Sequence, residues 1–168
     1  IEDLIAERFV ETWGTIVIVY LESLTLSSEQ LESAIDQIEE FFLEVNQKFS
    51  TYIDTSEVSQ LRTRSLAIEN ASPLAQEVWQ GCLYSRELTQ GAFDPWAVEG
   101  GFDPSGFVKG WAAERAAEIA AQLGVESILI NAAGDLFLRG GRFVENGDLQ
   151  PWVITIADPM DDQAIVNY

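Results

Sequence analysis

Histidine is absent from the 168-residue sequence, and cysteine occurs once, as Cys82. The lack of histidine excludes triads and metal sites that use an imidazole, and a single thiol cannot form an internal disulfide. The cysteine count leaves the redox compartment open. Any chemistry of this chain therefore has to use carboxylates, hydroxyls, backbone groups or a hard metal ion.

Basic residues are scarce. Nine Lys and Arg residues stand against 28 Asp and Glu residues, which gives a formal net charge of −19. An acidic surface repels the phosphate backbone, so we expect no nucleic-acid partner. An excess of acid is typical of a solvated surface that favours solubility, and it says little about chemistry.

Long apolar runs are missing as well. No segment approaches the roughly 20 apolar residues that a membrane-spanning helix needs. Neither a basic leader segment nor a lipid-modified cysteine motif follows Ile1. We therefore expect a soluble chain without a membrane span of its own, and a leader removed by processing is compatible with this expectation.

The composition suits one buried core, because 47% of the residues are hydrophobic and 11% are aromatic. The β-branched run Thr15–Tyr20 predicts a strand. Hydrophobic residues from 31 to 49 recur at helical spacing, and Ser27 with Gln30 resembles a capping box in front of them. This pattern predicts an amphipathic helix over about residues 28–48.

Further elements follow along the chain. Ser72 and Pro73 predict the start of a second helix that reaches about Thr89, and a third helix is predicted from about Ser105 to Leu123. Strands are predicted at 127–130, 136–139 and 152–156, and the stretches 50–70 and 91–105 are expected to be irregular. Helices and strands without a regular βαβ repeat indicate an α+β fold, which we expect to form one domain over residues 1–168.

The segment Asp103–Trp111, at the start of the third predicted helix, is the most informative. A helix N-terminus exposes unpaired N–H groups and partial positive charge, and Gly106 lets a ligand approach the backbone. Lys109 stands out because the chain has only two lysines. From this local pattern alone, a surface lysine on a capped helix is the favoured interpretation, since a lone Gly-x-x-Lys is a weak signal.

Other stretches accompany this segment in one order along the chain. They are Glu11–Thr15, Phe49–Tyr52 with Ser56–Glu57, Gly91–Pro95, Glu114–Ala117 and Asn131–Asp135. Their succession resembles the flavin transferase family of the ApbE type, and the resemblance spans nearly the whole chain. Each stretch alone is common, so the specificity depends on order and spacing.

The resemblance implies an ApbE-like fold, with a mainly antiparallel sheet packed with helices, and a site for FAD. The positions that it assigns to FAD are Trp13, Tyr52, Ala92, Phe93, Asp94, Asp103 and Lys109. It also implies that Gly106 offers its backbone oxygen to Mg²⁺. Trp13 stands where the family has methionine, which exchanges a flexible thioether for a flat ring. Tyr52 is expected to stack on FAD, and Asp135 is expected to brace a hairpin turn.

The activity implied by the resemblance is that of an FAD:protein FMN transferase. A Thr or Ser hydroxyl of an acceptor protein attacks the FMN-side phosphorus of FAD and AMP leaves, while Lys109 offsets charge on the pyrophosphate. Hydrolysis of FAD is an alternative reaction, and a flavin-binding module or an acidic interaction domain is an alternative function without turnover. The family is typically extracytoplasmic, with only indirect membrane association.

The family pattern continues beyond residues 157–159 into a His-x-x-Asp-Pro element and an Asp-x-x-x-Thr element, which supply further Mg²⁺ ligands. This chain reaches Tyr168 without them. We expect a piece of a longer enzyme, and a shortened homologue is the alternative. Asp161 and Asp162 lie in a different context and receive no role, so the catalytic base stays unassigned.

Overall fold

The computed structural model describes residues 4–158 and 161–167, with side chains described for residues 4–156. In chain order the elements are β1 Leu4–Thr12, β2 Thr15–Ser23, α1 Ser28–Phe49, α2 Glu57–Arg62, a short 3-10 helix Ile68–Asn70, α3 Pro73–Leu88, α4 Ser105–Gln122, β3 Ser127–Ala132, β4 Asp135–Arg139, β5 Arg142–Phe143, β6 Leu149–Gln150, β7 Thr155–Asp158 and β8 Asp161–Asn167. Helices packed on antiparallel sheets confirm the predicted α+β class.

The main sheet has the strand order β1-β2-β3-β4, and every neighbouring pair is antiparallel. Across its centre, Val19 of β2 lies opposite Ile130 of β3, and both side chains are fully buried. Successive side chains of a strand point to opposite faces, so the buried residues of β2 and β3 define one inward face. Two further pairs, β5-β6 and β7-β8, follow this sheet along the chain.

All the helices lie between β2 and β3 in the sequence. Helix α1 packs on β1 and β2, α4 packs on β3 and β4, and the two helices contact each other. The predicted capping box at the start of α1 is confirmed, because Ser27 accepts from the Gln30 backbone and the Gln30 side chain accepts from the Ser27 backbone. Among the described residues, no helix is long and apolar enough to cross a membrane.

A charged cluster attaches the edge strand β1 to α1. The Arg8 guanidinium donates to Asp36 at 2.6 Å, to Glu39 at 2.9 Å and to Glu32 at 2.6 Å. Its hydrogen bond with Asp36 is the main reason why the pKa of Arg8 is raised above its ordinary value. Guanidinium suits this place because its donors are arranged as a rigid fork and it is always charged. Part of the acid excess therefore serves a structural purpose.

The contact between α3 and α4 fixes the start of α4. Glu77 of α3 accepts hydrogen bonds from Trp111 Nε1 at 2.8 Å and from Arg115 of α4. Burial alone would raise the pKa of Glu77, but these hydrogen bonds together with the charge of Arg115 lower it. One turn along α3, Gly81 faces the ring of Phe107 in the first turn of α4. The two helices can approach this closely because Gly81 has no side chain.

Several elements differ from the sequence predictions. Strand β1 was not predicted, because Arg8 breaks its hydrophobic alternation at an inward position. The strand predicted at 152–156 begins only at Thr155, and a short helix, α2, lies within the stretch expected to be irregular. By contrast, α3 and α4 have the predicted bounds to within a residue or two.

We predict opposite effects from two glycine replacements on neighbouring helices. A Cβ atom on Gly81 would lie 2.2 Å from Phe107 Cζ, whereas one on Gly110 meets nothing within 4 Å. Gly81→Ala should therefore lower the free energy of unfolding by about 1–3 kcal/mol through overpacking. Gly110→Ala should raise it by about 0.5–1 kcal/mol, because glycine costs more conformational entropy in a helix. Urea unfolding measures both, and equal stabilisation by the two replacements would contradict the close α3–α4 contact.

Candidate functional site

A cavity of about 570 Å³ lies at one end of the main sheet. Its lining comes from three places: the β1–β2 turn at 13–14, the end of α1 and the turn after it at 45–46 and 49–52, and the start of α4 at 105–106 and 108–109. A volume of this size is typical of small-molecule sites. Four residues assigned from the sequence meet in this cavity: Trp13, Tyr52, Gly106 and Lys109.

The wall at the β1–β2 turn is formed by Trp13. Trp13 and Gly14 have φ values of 54° and 72°, which are the left-handed values that tight hairpin turns require. Glycine adopts them freely, whereas a bulky residue rarely does. The Trp13 ring packs edge-on against Phe42 of α1, with centroids 5.0 Å apart, and its buried Nε1 has no hydrogen-bond partner among the described residues. The site thus contains a fixed aromatic surface on a strained turn.

A second aromatic surface is open to solvent. Tyr52 is 96% exposed at the edge of the cavity, and its backbone N–H donates to Ser50 Oγ at 3.3 Å. Phe49, the last residue of α1, is buried against Trp111 and supports this end of the helix. An exposed aromatic ring beside a cavity is well suited to stack on a planar heterocycle.

The start of α4 offers a site for an anion. Asp103 Oδ1 accepts from the Ser105 N–H at 3.0 Å and from the Ser105 hydroxyl at 2.5 Å. The N–H groups of Phe107 and Val108 donate to the Pro104 carbonyl. The Gly106 N–H has no partner among the described residues, and Gly106 lines the cavity. A free N–H at the positive end of a helix dipole favours a phosphate or carboxylate.

Lys109 lies one turn after the start of α4, and its Nζ forms a salt bridge with Asp135 Oδ2 at 3.0 Å. The expectation that Asp135 braces the β3–β4 turn is wrong, because the Asn131 side chain holds that turn by accepting from the Gly134 N–H at 2.9 Å. An ammonium carries three N–H donors, so one salt bridge leaves two for an anionic ligand. Lys109 is therefore placed to contribute positive charge to the cavity.

Four assigned positions do not line the cavity, namely Ala92, Phe93, Asp94 and Asp103. They belong to the segment that leads into α4. Asp94 binds Arg86 Nε at 2.8 Å and accepts from the Trp96 N–H at 3.0 Å, which fixes that segment. A Cβ atom on Gly106 would lie 3.2 Å from Phe93 Cε2, so the ring borders the helix start. In this structure the four residues do not line the cavity, and Phe93, Asp94 and Asp103 contact the start of α4 or the segment before it.

Sequence reasoning missed one polar residue of the cavity. Asn46 lines it from α1, is half-buried and forms no side-chain hydrogen bond among the described residues. Nothing in the sequence marks this position, because it adjoins the apolar stripe of α1 without belonging to it. Ser50 and Thr51 also line the cavity, and they fall within a stretch that the sequence did single out.

The described residues do not form a complete metal site. No group of three or more His, Cys, Asp or Glu side chains within them is placed to hold a metal ion. Gly106 contributes one backbone oxygen at most, and within α4 this oxygen belongs to the helical hydrogen-bond ladder. Mg²⁺ commonly binds through one or two carboxylates together with substrate phosphates. Most of the ligands of a bound Mg²⁺ would thus have to come from a substrate or from outside the described residues.

Comparison with known proteins agrees with the motif order. The sequence profile of the ApbE family matches residues 12–100 and 96–168, which together cover most of the chain. No curated protein is significantly similar to the chain in sequence.

Solved structures share the fold. The flavin transferase ApbE from Vibrio cholerae is 21% identical, with a TM-score of 0.78 over 99% of this chain and 68% of that one. The flavinyl transferase ApbE of Pseudomonas stutzeri in its apo form is 19% identical, with a TM-score of 0.76 over 98% and 65% of the two chains. The ApbE protein of Thermotoga maritima is 20% identical, with a TM-score of 0.81 over 98% and 68%. The chain spans about two thirds of the length of these proteins.

We predict that the Lys109–Asp135 salt bridge contributes little to stability. Both side chains are a third to a half exposed, and exposed pairs are typically worth about 0–1 kcal/mol. Lys109→Met and Asp135→Asn should each change the free energy of unfolding by less than about 1 kcal/mol, as should the double variant. Urea unfolding at low and high salt is the measurement. A loss of several kcal/mol would mean that Lys109 is a structural residue.

Proposed function

The chain belongs to the ApbE family, and from this premise we propose that it binds FAD in the cavity between α1 and α4 and transfers FMN from FAD to an acceptor protein. The acceptor group is a threonine or serine hydroxyl, and AMP is the second product. The family is one of flavin transferases, so the protein is an enzyme of the transferase class. The compartment that we propose, extracytoplasmic, follows from the family resemblance alone.

One observation carries the proposal. The same cavity is lined by two aromatic residues and by a helix start with a free N–H and a lysine. FAD joins a planar isoalloxazine to a pyrophosphate and therefore has a part that is complementary to each of these groups. Tyr52 and Trp13 would contact rings, and Gly106 and Lys109 would contact phosphate oxygens. An apolar ligand would leave the helix start unused, and a simple anion would leave the aromatic surfaces unused.

The residues of the chain contribute mainly by binding and orientation. The acceptor hydroxyl attacks the FMN-side phosphorus, the bond from this phosphorus to the bridging oxygen breaks, and AMP leaves with that electron pair. Negative charge grows on the phosphates as the bond breaks, and the Gly106 N–H and the Lys109 ammonium are placed to stabilise it. The hydroxyl proton passes to a base that we do not assign to any described residue.

Mg²⁺ dependence is part of the proposal through the family resemblance. The ion would neutralise phosphate charge when bound. The Gly106 backbone oxygen is the one ligand proposed within the described residues, and the FAD phosphates would provide others. None of the binding roles given to Tyr52, Gly106 and Lys109 depends on the ion.

The test of the function separates transfer, hydrolysis and binding. The protein is incubated with FAD, MgCl₂ and a candidate acceptor protein rich in exposed threonine and serine, and products are resolved by chromatography and intact mass. Transfer gives AMP and an acceptor heavier by one FMN, and EDTA should suppress both. Free FMN with AMP would indicate hydrolysis instead. FAD binding without any AMP would contradict catalysis by this chain, and absence of FAD binding would contradict the proposed site.

We predict that Tyr52 contributes to FAD affinity and not to stability. Its ring is almost fully exposed, so Tyr52→Ala should leave the melting temperature unchanged. The same replacement should weaken FAD binding by about 1–3 kcal/mol, the usual worth of stacking on an aromatic ring. The matched control is Tyr84→Ala, since Tyr84 is also exposed but lies on α3 away from the cavity. Calorimetry should give equal FAD affinities for the control and the parent.

For Lys109, we predict an effect that depends on phosphate. Lys109→Met keeps the apolar stem and removes the charge, so FAD affinity should fall by about 1.5–3 kcal/mol. Riboflavin, which has no phosphate, should bind to parent and variant equally. Added salt should narrow the difference for FAD, because the ammonium is partly exposed. Equal losses for riboflavin and FAD would contradict a phosphate contact.

A further inference from the structure

We infer that Asn46 recognises the polar edge of the flavin's pyrimidine ring and so determines the specificity of the cavity for a flavin. The inference rests on the proposed function, since it assigns the flavin end of the ligand to one part of the same cavity. It concerns a position to which neither the sequence motifs nor the family resemblance gave a role.

The position of Asn46 along α1 places it among the aromatic residues. Residues four apart lie above one another on a helix face, so Phe42, Asn46 and Ser50 form one row. The ring of Trp13 packs on Phe42 at one end of this row, and Ser50 holds the backbone of Tyr52 at the other. Along α1, Asn46 therefore lies between the residue on which Trp13 packs and the residue that holds Tyr52.

The groups proposed to bind the phosphates come from a different helix. Gly106 and Lys109 belong to the start of α4, whereas Asn46 belongs to the end of α1. A ligand with its phosphates on α4 and its ring between Trp13 and Tyr52 would present the edge of that ring to Asn46. The amide is thus placed at the ring end of the ligand.

The amide of Asn46 is free to bind. Ser50, Ser105 and Lys109 also line the cavity, and the side chain of each has a partner: the Tyr52 N–H, Asp103 and Asp135, respectively. Thr51 is a further lining residue without a side-chain partner among the described residues, but its single hydroxyl cannot donate and accept side by side as an amide does. Asn46 is half-buried, and no described residue bonds to its side chain. The Asn46 amide is accessible to solvent in the cavity, so a ligand with matching groups would replace water and form directional hydrogen bonds with it.

The chemistry of the flavin matches a carboxamide. The pyrimidine ring of isoalloxazine carries an N3–H donor between two carbonyl oxygens. A side-chain amide can accept from N3–H through Oδ1 and donate to a neighbouring carbonyl through Nδ2, which makes two hydrogen bonds side by side. An adenine edge also pairs with asparagine in this way, so the experiment has to distinguish the two ends of FAD.

The experiment compares riboflavin, 3-methylriboflavin and ADP as probes, using fluorescence quenching for the flavins and calorimetry for ADP. Asn46→Ala should weaken riboflavin binding about tenfold, which corresponds to the net worth of one to two hydrogen bonds. The methyl group removes the N3–H, so the parent should bind 3-methylriboflavin more weakly than riboflavin, and the variant should no longer distinguish the two. ADP affinity should not change. The matched control is Gln47→Ala, at an exposed neighbour that does not line the cavity.

Three results would overturn the inference and leave the proposed function standing. If the parent binds FAD and Asn46→Ala binds riboflavin with the affinity of the parent, Asn46 has no part in flavin recognition and the proposed function stands. If the variant loses affinity for ADP and not for riboflavin, Asn46 recognises adenine. If the parent itself binds riboflavin and 3-methylriboflavin equally, the protein does not recognise the N3–H. This comparison uses the parent alone, so it holds even if the variant fails to fold. A parent that binds no flavin would overturn the proposed function together with this inference.

Discussion

The antiparallel pairing of β2 with β3 is the contact on which the site depends. All the helices of the described residues lie between these strands in the sequence. The register of the strands places Val17 opposite Ala132, and each is within three residues of the turn that joins its strand to β1 or β4. Both hairpin turns therefore lie at one end of the sheet. Because α1 follows β2 and α4 precedes β3, the end of α1 and the start of α4 also meet there. The cavity is the space that these ends leave between them.

Charge has two separate uses in this acidic chain. On β1, Arg8 collects three carboxylates of α1 and so joins the sheet edge to the helix. In the cavity, Lys109 is held by Asp135, a single exposed pair whose contribution to folding is small. Under the proposed function, Lys109 and the free N–H at the start of α4 have a common role, because both would contact the phosphates of FAD.

The sequence was sufficient where the determinants are local. Helices α1 and α3 begin at capping residues, and such caps are visible as short patterns, so their bounds were predicted well. Strand β1 was missed because its inward Arg8 is satisfied only by carboxylates from a distant helix. Asp135 was given a turn-bracing role for the same reason, since its partner Lys109 is known only once β4 packs on α4. Asn46 was missed because exposure to the cavity depends on how three separate segments meet.

The central claim is that a phosphate of FAD lies on the free N–H at the start of α4 while its rings lie between Trp13 and Tyr52. The most direct measurement is an NMR titration of the ¹⁵N-labelled protein with FAD, in which each backbone amide reports its own change. We expect the largest shift at the Gly106 amide and further shifts at 13–14, 45–46 and 49–52, with none at 83–88 on α3. A titration in which the Gly106 amide stays unchanged while amides elsewhere shift would contradict the claim.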